Sequence, residues 1–96
     1  MAVLTRAEID QQLKTLEGWA LEGDAIRKQF TFRGFPEAVA FVQRLVPEAE
    51  QADHHPDITI NYRRVSLSYS THSEGGVTMK DVDGARMADR ISRDAP

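Results

Sequence analysis

Cysteine is absent from this 96-residue chain. A disulfide framework is therefore excluded, as are thiolate metal sites, iron–sulfur clusters and a cysteine nucleophile. No apolar run approaches the ~20 residues that span a bilayer. The opening Met-Ala-Val-Leu-Thr-Arg-Ala-Glu-Ile-Asp turns polar too early for a secretory leader. The expectation is a soluble cytoplasmic protein with no membrane partner. Basic charge is also short: 12 bases against 15 acids leave a formal charge of −3 with the three histidines neutral. Such a chain lacks the basic face that displaces counterions from nucleic acid, so no nucleic-acid partner is expected. Repeats, low-complexity stretches and linkers are missing too, which leaves one domain over residues 1–96.

What is present is an ordinary globular balance, with 41% apolar and 28% charged residues. Thr5 and Glu8 have capping-box spacing, and Ile9, Leu13 and Leu16 recur at helical intervals before Gly18, which predicts a helix over about 6–16. Trp19 and Leu21 alternate with Ala20, Glu22-Gly23-Asp24 supplies turn chemistry, and Ile26, Lys28, Phe30 and Phe32 share one parity. That is a hairpin with one greasy face. Pro36 suits the first turn of a second helix whose stripe is Ala38, Phe41, Val42, Leu45 and Ala49. Pro47 is expected to kink that helix or split off its last turn.

Beyond Asp53 the pattern returns to period two. Ile58, Ile60 and Tyr62 share one parity, as do Val65, Leu67 and Tyr69, with Arg63-Arg64 as the expected hairpin tip. Gly75-Gly76 ends the hairpin, and Thr78 caps a last helix over about 79–92 with a stripe of Val82, Ala85, Ala88 and Ile91. The order α-β-β-α-β-β-α predicts an α+β fold: a four-stranded antiparallel sheet with three helices packed on one face. The strands at 26–32 and 65–71 are the expected open edges, through which copies of the chain would associate. A chain this short buries only about 60–65% of its unfolded surface, so association would add stability.

All three histidines lie between positions 54 and 72. With Arg63-Arg64 as a two-residue turn, Tyr62 faces Val65 and His55 falls opposite His72; a longer loop moves this by a residue or two. Imidazole is the side chain whose ordinary pKa, about 6.5, suits proton transfer near neutrality. Three of them around one cleft can divide acid and base roles. A zinc site built with Asp81 or Glu50 is the rival reading. Adjacent His54 and His55 point in different directions in an extended segment, which suits two roles better than one ion, so no metal is assigned.

Glu50-x3-His54-His55-Pro56-x5-Tyr62-x9-His72-x8-Asp81 resembles the signature of the pterin-4a-carbinolamine dehydratases. The flanks resemble that family too: Gly18-Trp19, Lys28-x-Phe30-x-Phe32, Phe35 entering the second helix, and Ser70-Thr71-His72. The likeness covers roughly residues 5–93. It implies the same α+β fold and the removal of water from 4a-hydroxytetrahydropterin to give quinonoid dihydropterin, which recycles the pterin of aromatic amino-acid hydroxylases. No cofactor or metal is implied.

The resemblance makes His54, His55 and His72 the catalytic residues, with His55 and His72 at the hydroxyl and N5 and His54 binding or assisting. Glu50 and Asp53 would orient the imidazoles. Backbone groups of His54–Pro56 and of Thr71, His72 and Ser73 would hold the flat ring. Asp81 has two readings, a helix cap at N3 or a supporting carboxylate, and Glu50 is otherwise a solvated helix residue. Trp19 and Tyr62 are read as packing rather than stacking on substrate. Lys80 stands where animal members tend to carry an arginine. Family members form homodimers or homotetramers. Some animal members also act as dimerisation cofactors, so the alternative is a protein-interaction module without essential catalysis.

Overall fold

The first helix starts where its capping pair places it. In the computed structural model, which describes residues 3–94 and so leaves two residues at each end of the expected domain outside the described residues, Thr5 Oγ1 accepts the Glu8 N–H at 3.1 Å and Glu8 Oε1 accepts the Thr5 N–H at 2.8 Å. Helix α1 (Arg6–Leu13) stops short of the expected residue 16. The Thr15 hydroxyl donates to the Gln12 carbonyl at 2.8 Å, a local bond that competes with helical continuation. Tight turns follow, with Leu16 bonded to Leu13 and Trp19 to Leu16, and they still deliver Leu16 and Trp19 to the core.

Strands β1 (Ala20–Glu22) and β2 (Ala25–Thr31) pair around Gly23-Asp24. Helix α2 (Phe35–Ala52) then runs unbroken across Pro47, which corrects the expected split. Pro47 is exposed, so the carbonyl that loses its N–H donor can turn to water. Strands β3 (Asp57–Asn61) and β4 (Arg64–Tyr69) follow, then a 3₁₀ turn (His72–Glu74) and helix α3 (Met79–Arg93).

The β3–β4 turn is Tyr62-Arg63 rather than Arg63-Arg64. Asn61 pairs with Arg64 and Ile60 with Val65, and Tyr62 takes the left-handed backbone, φ 58°, that a tight hairpin demands. The register is two residues away from the expected one. Parity survives the shift, so every side chain keeps its face. The pairing of His55 with His72 does not survive, because β4 ends at Tyr69 and β3 begins at Asp57. Tyr62 is 66% exposed and packs no core, a second correction that follows from its place at the turn.

The sheet order is β1-β2-β4-β3. The strands expected at the edges are therefore central, and β1 and β3 are the edges. Ile26, Phe30, Val65, Leu67 and Tyr69 are buried from the sheet's inner face, together with Ile9 of α1, Phe41 and Leu45 of α2, and Val82, Ala85 and Ala88 of α3. The other face carries Arg27, Gln29, Thr59, Ser66 and Ser68. Edge strand β3 is exposed throughout, so Ile58 and Ile60 on the inner side remain uncovered.

Lys28 shares the apolar parity of β2 and needs a partner there. It finds Asp89 of α3 at 2.9 Å and the Glu17 carbonyl at 3.0 Å, while the Trp19 indole N–H lies 3.1 Å from both Asp89 oxygens. Removing the carboxylate strands the indole N–H and leaves the Lys28 ammonium with the Glu17 carbonyl alone, in a largely dry site. Asp89→Ala is expected to lower unfolding free energy by about 3 kcal/mol, read from urea midpoints. Loss under ~0.5 kcal/mol would show that solvent already screens the cluster.

Candidate functional site

The site begins where α2 ends. Asp53 caps α2 in the left-handed conformation, φ 52°, and its N–H meets the carbonyls of Ala49 and Glu50. Aspartate tolerates that backbone better than most residues. The chain turns back on itself, the His54 N–H bonds the Ala49 carbonyl at 3.2 Å, and the two imidazoles leave in different directions. Asp53 thus acts through its backbone; among the described residues its carboxylate bonds neither imidazole.

His54 points to α3. Its Nε2 lies 2.5 Å from Asp81 Oδ1, and Asp81 has no exposed surface. Asp81 Oδ2 accepts the Thr71 hydroxyl at 2.8 Å and the Thr78 N–H at 2.9 Å. The two readings of Asp81 are therefore compatible: one oxygen caps α3 and the other meets the histidine. Proton directions follow from the partners. An ionised carboxylate only accepts, so Nε2 carries a proton and the Thr71 hydroxyl spends its own on Asp81. The Thr78 hydroxyl, 2.8 Å from Thr71 Oγ1, must then donate to it, and it accepts the Lys80 N–H at 3.2 Å. Nδ1 is the His54 nitrogen left for a guest.

His55 turns outward to Glu50, with Nε2 2.6 Å from Oε2. Both side chains are largely exposed, 53% and 70%, so water screens the pair. His72 follows Thr71 on the 3₁₀ turn and is exposed, and its ring bonds none of the described residues. Pro56 leads into β3, and Ser73 stands exposed on the 3₁₀ turn. The three histidines do not share one cavity. A cavity of about 320 Å³ is lined by His54 with Glu48, Gln51, Lys80, Asp83 and Gly84 among others. A second, of about 230 Å³, is lined by His55 with Leu45, Val46, Ala49, Pro56 and Ile58 among others. His72 lines neither of them. Among the described residues, no group of three or more His, Asp or Glu side chains is arranged to hold a metal ion.

Sequence reading missed Tyr69. Its ring lies beside His54 with centroids 6.0 Å apart and planes 23° from parallel, and its hydroxyl is buried without a partner among the described residues. Parity placed Tyr69 in the core; the polar tip at the end of an otherwise aliphatic row was the available signal.

The family model for pterin 4 alpha carbinolamine dehydratase matches residues 2–91. The chain belongs to this family. A relative in Roseiflexus castenholzii, provisionally named pterin-4-alpha-carbinolamine dehydratase, is 50% identical over 94% of this chain and 97% of its own. Another of the same provisional name, in Thermosynechococcus vestitus, is 45% identical over 93% of this chain and 94% of its own. The crystal structure of a transcriptional coactivator/pterin dehydratase from Brucella melitensis matches with TM-score 0.89 at 38% identity, covering 93% of this chain and 97% of that one. A pterin dehydratase-like RuBisCO assembly factor of the alpha-carboxysome has TM-score 0.63 at 19% identity over 77% of this chain and 86% of that one, a likeness of fold alone.

Burial pushes the Tyr69 phenol up from 10.0 to about 12, and the charge of Asp81 acts in the same direction. The unfolded chain loses this proton near 10 and the folded chain near 12. Between those values the unfolded state binds fewer protons, so stability falls as pH rises. Below them the group adds no slope. Wild type is expected to lose ~1.4 kcal/mol per pH unit more than Tyr69→Phe across this window, checked by urea unfolding of both proteins. Parallel pH profiles would refute the raised phenol.

Proposed function

We propose that this chain is a hydro-lyase that dehydrates a 4a-hydroxytetrahydropterin to the quinonoid dihydropterin. The observation that carries the reading is the His54–Asp81 pair beside the cavity that His54 lines. Asp81 fixes Nε2 as the protonated nitrogen, steadies the imidazolium when it forms, and leaves Nδ1 to exchange a proton. Family membership supplies the substrate class.

The chemistry needs two proton transfers. An acid protonates the 4a-hydroxyl, the C4a–O bond breaks, and water leaves. A base takes the N5 proton, and its electron pair closes the C4a=N5 bond. The protons balance, so no oxidant, reductant or cofactor enters the ledger. His54, His55 and His72 are the proton-handling residues of the proposal, with Asp81 and Glu50 as their carboxylate partners. His72, exposed and without a ring partner among the described residues, is free to turn toward a guest. Glu48, Gln51, Lys80 and Asp83 offer acceptors and donors to the flat amide-like edge of a pterin, beside backbone groups of His54–Pro56 and Thr71–Ser73.

Self-association belongs to the same proposal. The uncovered Ile58 and Ile60 lie on a free strand edge, and Val46 and Phe35 of α2 are exposed as well. The association runs through the free edge of β3 and yields at least a dimer.

Three measurements test these statements. Dehydration of synthetic 4a-hydroxytetrahydropterin is expected with wild type, and absence of turnover would sink the enzyme reading. His72→Ala should leave the thermal midpoint in place and lower kcat about 10²-fold; equal rates would remove His72 from the chemistry. Light scattering at high micromolar concentration should give the mass of a dimer or larger, and Ile60→Lys should reduce it. A monomer mass for wild type would contradict the association.

A further inference from the structure

We infer that Tyr69 is a positioning residue for His54, and that Gly84 is the gap in α3 that admits it. The inference rests on His54 handling a proton in the proposed reaction. A single hydrogen bond from Nε2 to Asp81 leaves the imidazole free to pivot off the carboxylate, and a ring that pivots off it can carry its proton on either nitrogen. A near-parallel aromatic face removes the pivot, and Tyr69 supplies one at 6.0 Å and 23°. With the ring held at its face and at one nitrogen, the direction of Nδ1 is set.

The phenol is itself held. Trp19 lies 6.0 Å from it, centroid to centroid. On the α3 side a Cβ at position 84 would come within 2.5 Å of Tyr69 Cε1 and 2.8 Å of Cζ. Any residue but glycine would drive the ring out of place or lift the helix. Gly84 follows Asp81 by three residues, so one face of α3 carries both the carboxylate that holds Nε2 and the gap that receives the phenol. Glycine inside a helix weakens it, and a buried hydroxyl with no partner among the described residues weakens the core. The sequence keeps both, and ring placement is what they have in common.

The test compares Tyr69→Phe, Tyr69→Leu and Gly84→Ala with wild type. The readouts are kcat and KM for the carbinolamine, and the ¹⁵N imidazole signals of His54, identified by their loss in His54→Ala. In wild type these signals should report a single tautomer with the proton on Nε2. Tyr69→Leu is expected to lower kcat about tenfold with little change in KM, and to move the nitrogens toward averaged tautomer values. Tyr69→Phe, which keeps the ring, should restore both. Gly84→Ala should reproduce the Tyr69→Leu signature by displacing the phenol. Adding Tyr69→Leu to Gly84→Ala should recover thermal stability without recovering the tautomer signal.

If Tyr69→Leu lowers only the thermal midpoint and leaves kcat and the nitrogens alone, the inference is overturned. An equal loss in Tyr69→Phe would also overturn it, because the hydroxyl and not the ring would then be responsible. The tautomer signal is read without substrate. If the nitrogens move as expected in Tyr69→Leu while wild type turns over no carbinolamine, the positioning role stands and the dehydratase reading falls.

Discussion

A carboxylate with no access to water has to be surrounded by donors, and Asp81 is. Its donors come from three places in the chain: the imidazole of His54 just past α2, the hydroxyl of Thr71 just past β4, and the N–H of Thr78 at the start of α3. Each is a point where an element stops. The charge therefore fastens together three ends that the hydrophobic core, centred on Phe41, Leu45, Val65, Leu67 and Tyr69, does not itself fix. A capping residue and a partner for histidine are usually separate requirements. Here one side chain meets both, with one oxygen for each.

The same helix is tied a second time. Toward its C-terminal half, Asp89 collects the Trp19 indole and Lys28, so α3 is pinned to the sheet at one end and to the β1 approach at the other. Between the two pins lies Gly84, where a side chain would run into the Tyr69 ring. Two buried acids on one helix, spaced on either side of a glycine, hold α3 against the sheet where apolar contact from a thin stripe of Val82, Ala85 and Ala88 is modest. Electrostatics and hydrogen bonding here set orientation, and the apolar stripe supplies adhesion.

Much of this was legible in the residues. Period-two and helical spacing gave the element order, because burial on one face leaves that imprint whatever the partners are. Thr5–Glu8 and Thr78–Asp81 located two helix starts, since capping is local chemistry. Register was not legible. Nothing in Tyr62-Arg63-Arg64 announces which pair adopts the turn, and a tyrosine in left-handed backbone is not the residue one would choose. Sheet order was missed for a related reason: strand composition is similar in centre and edge, and only the crossover decides which strand ends up outside. At the site, His54, Glu50 and Asp81 could be picked from the family likeness. Their pairing could not, because it depends on the backbone reversal at Asp53, which sends adjacent histidines to different cavities.

The Asp81 half of the histidine–carboxylate pair is fully buried, whereas His54 leads into β3, a strand at the edge of the sheet. Opening of such a strand costs far less than opening the centre of a sheet. In a protomer whose β3 edge is unpaired, opening of that strand is expected to part the His54 imidazole from Asp81 while the core stays shut. A melt read from the buried aromatic residues therefore reports the core, and sets only an upper bound on the temperatures at which the histidine–carboxylate pair stays closed.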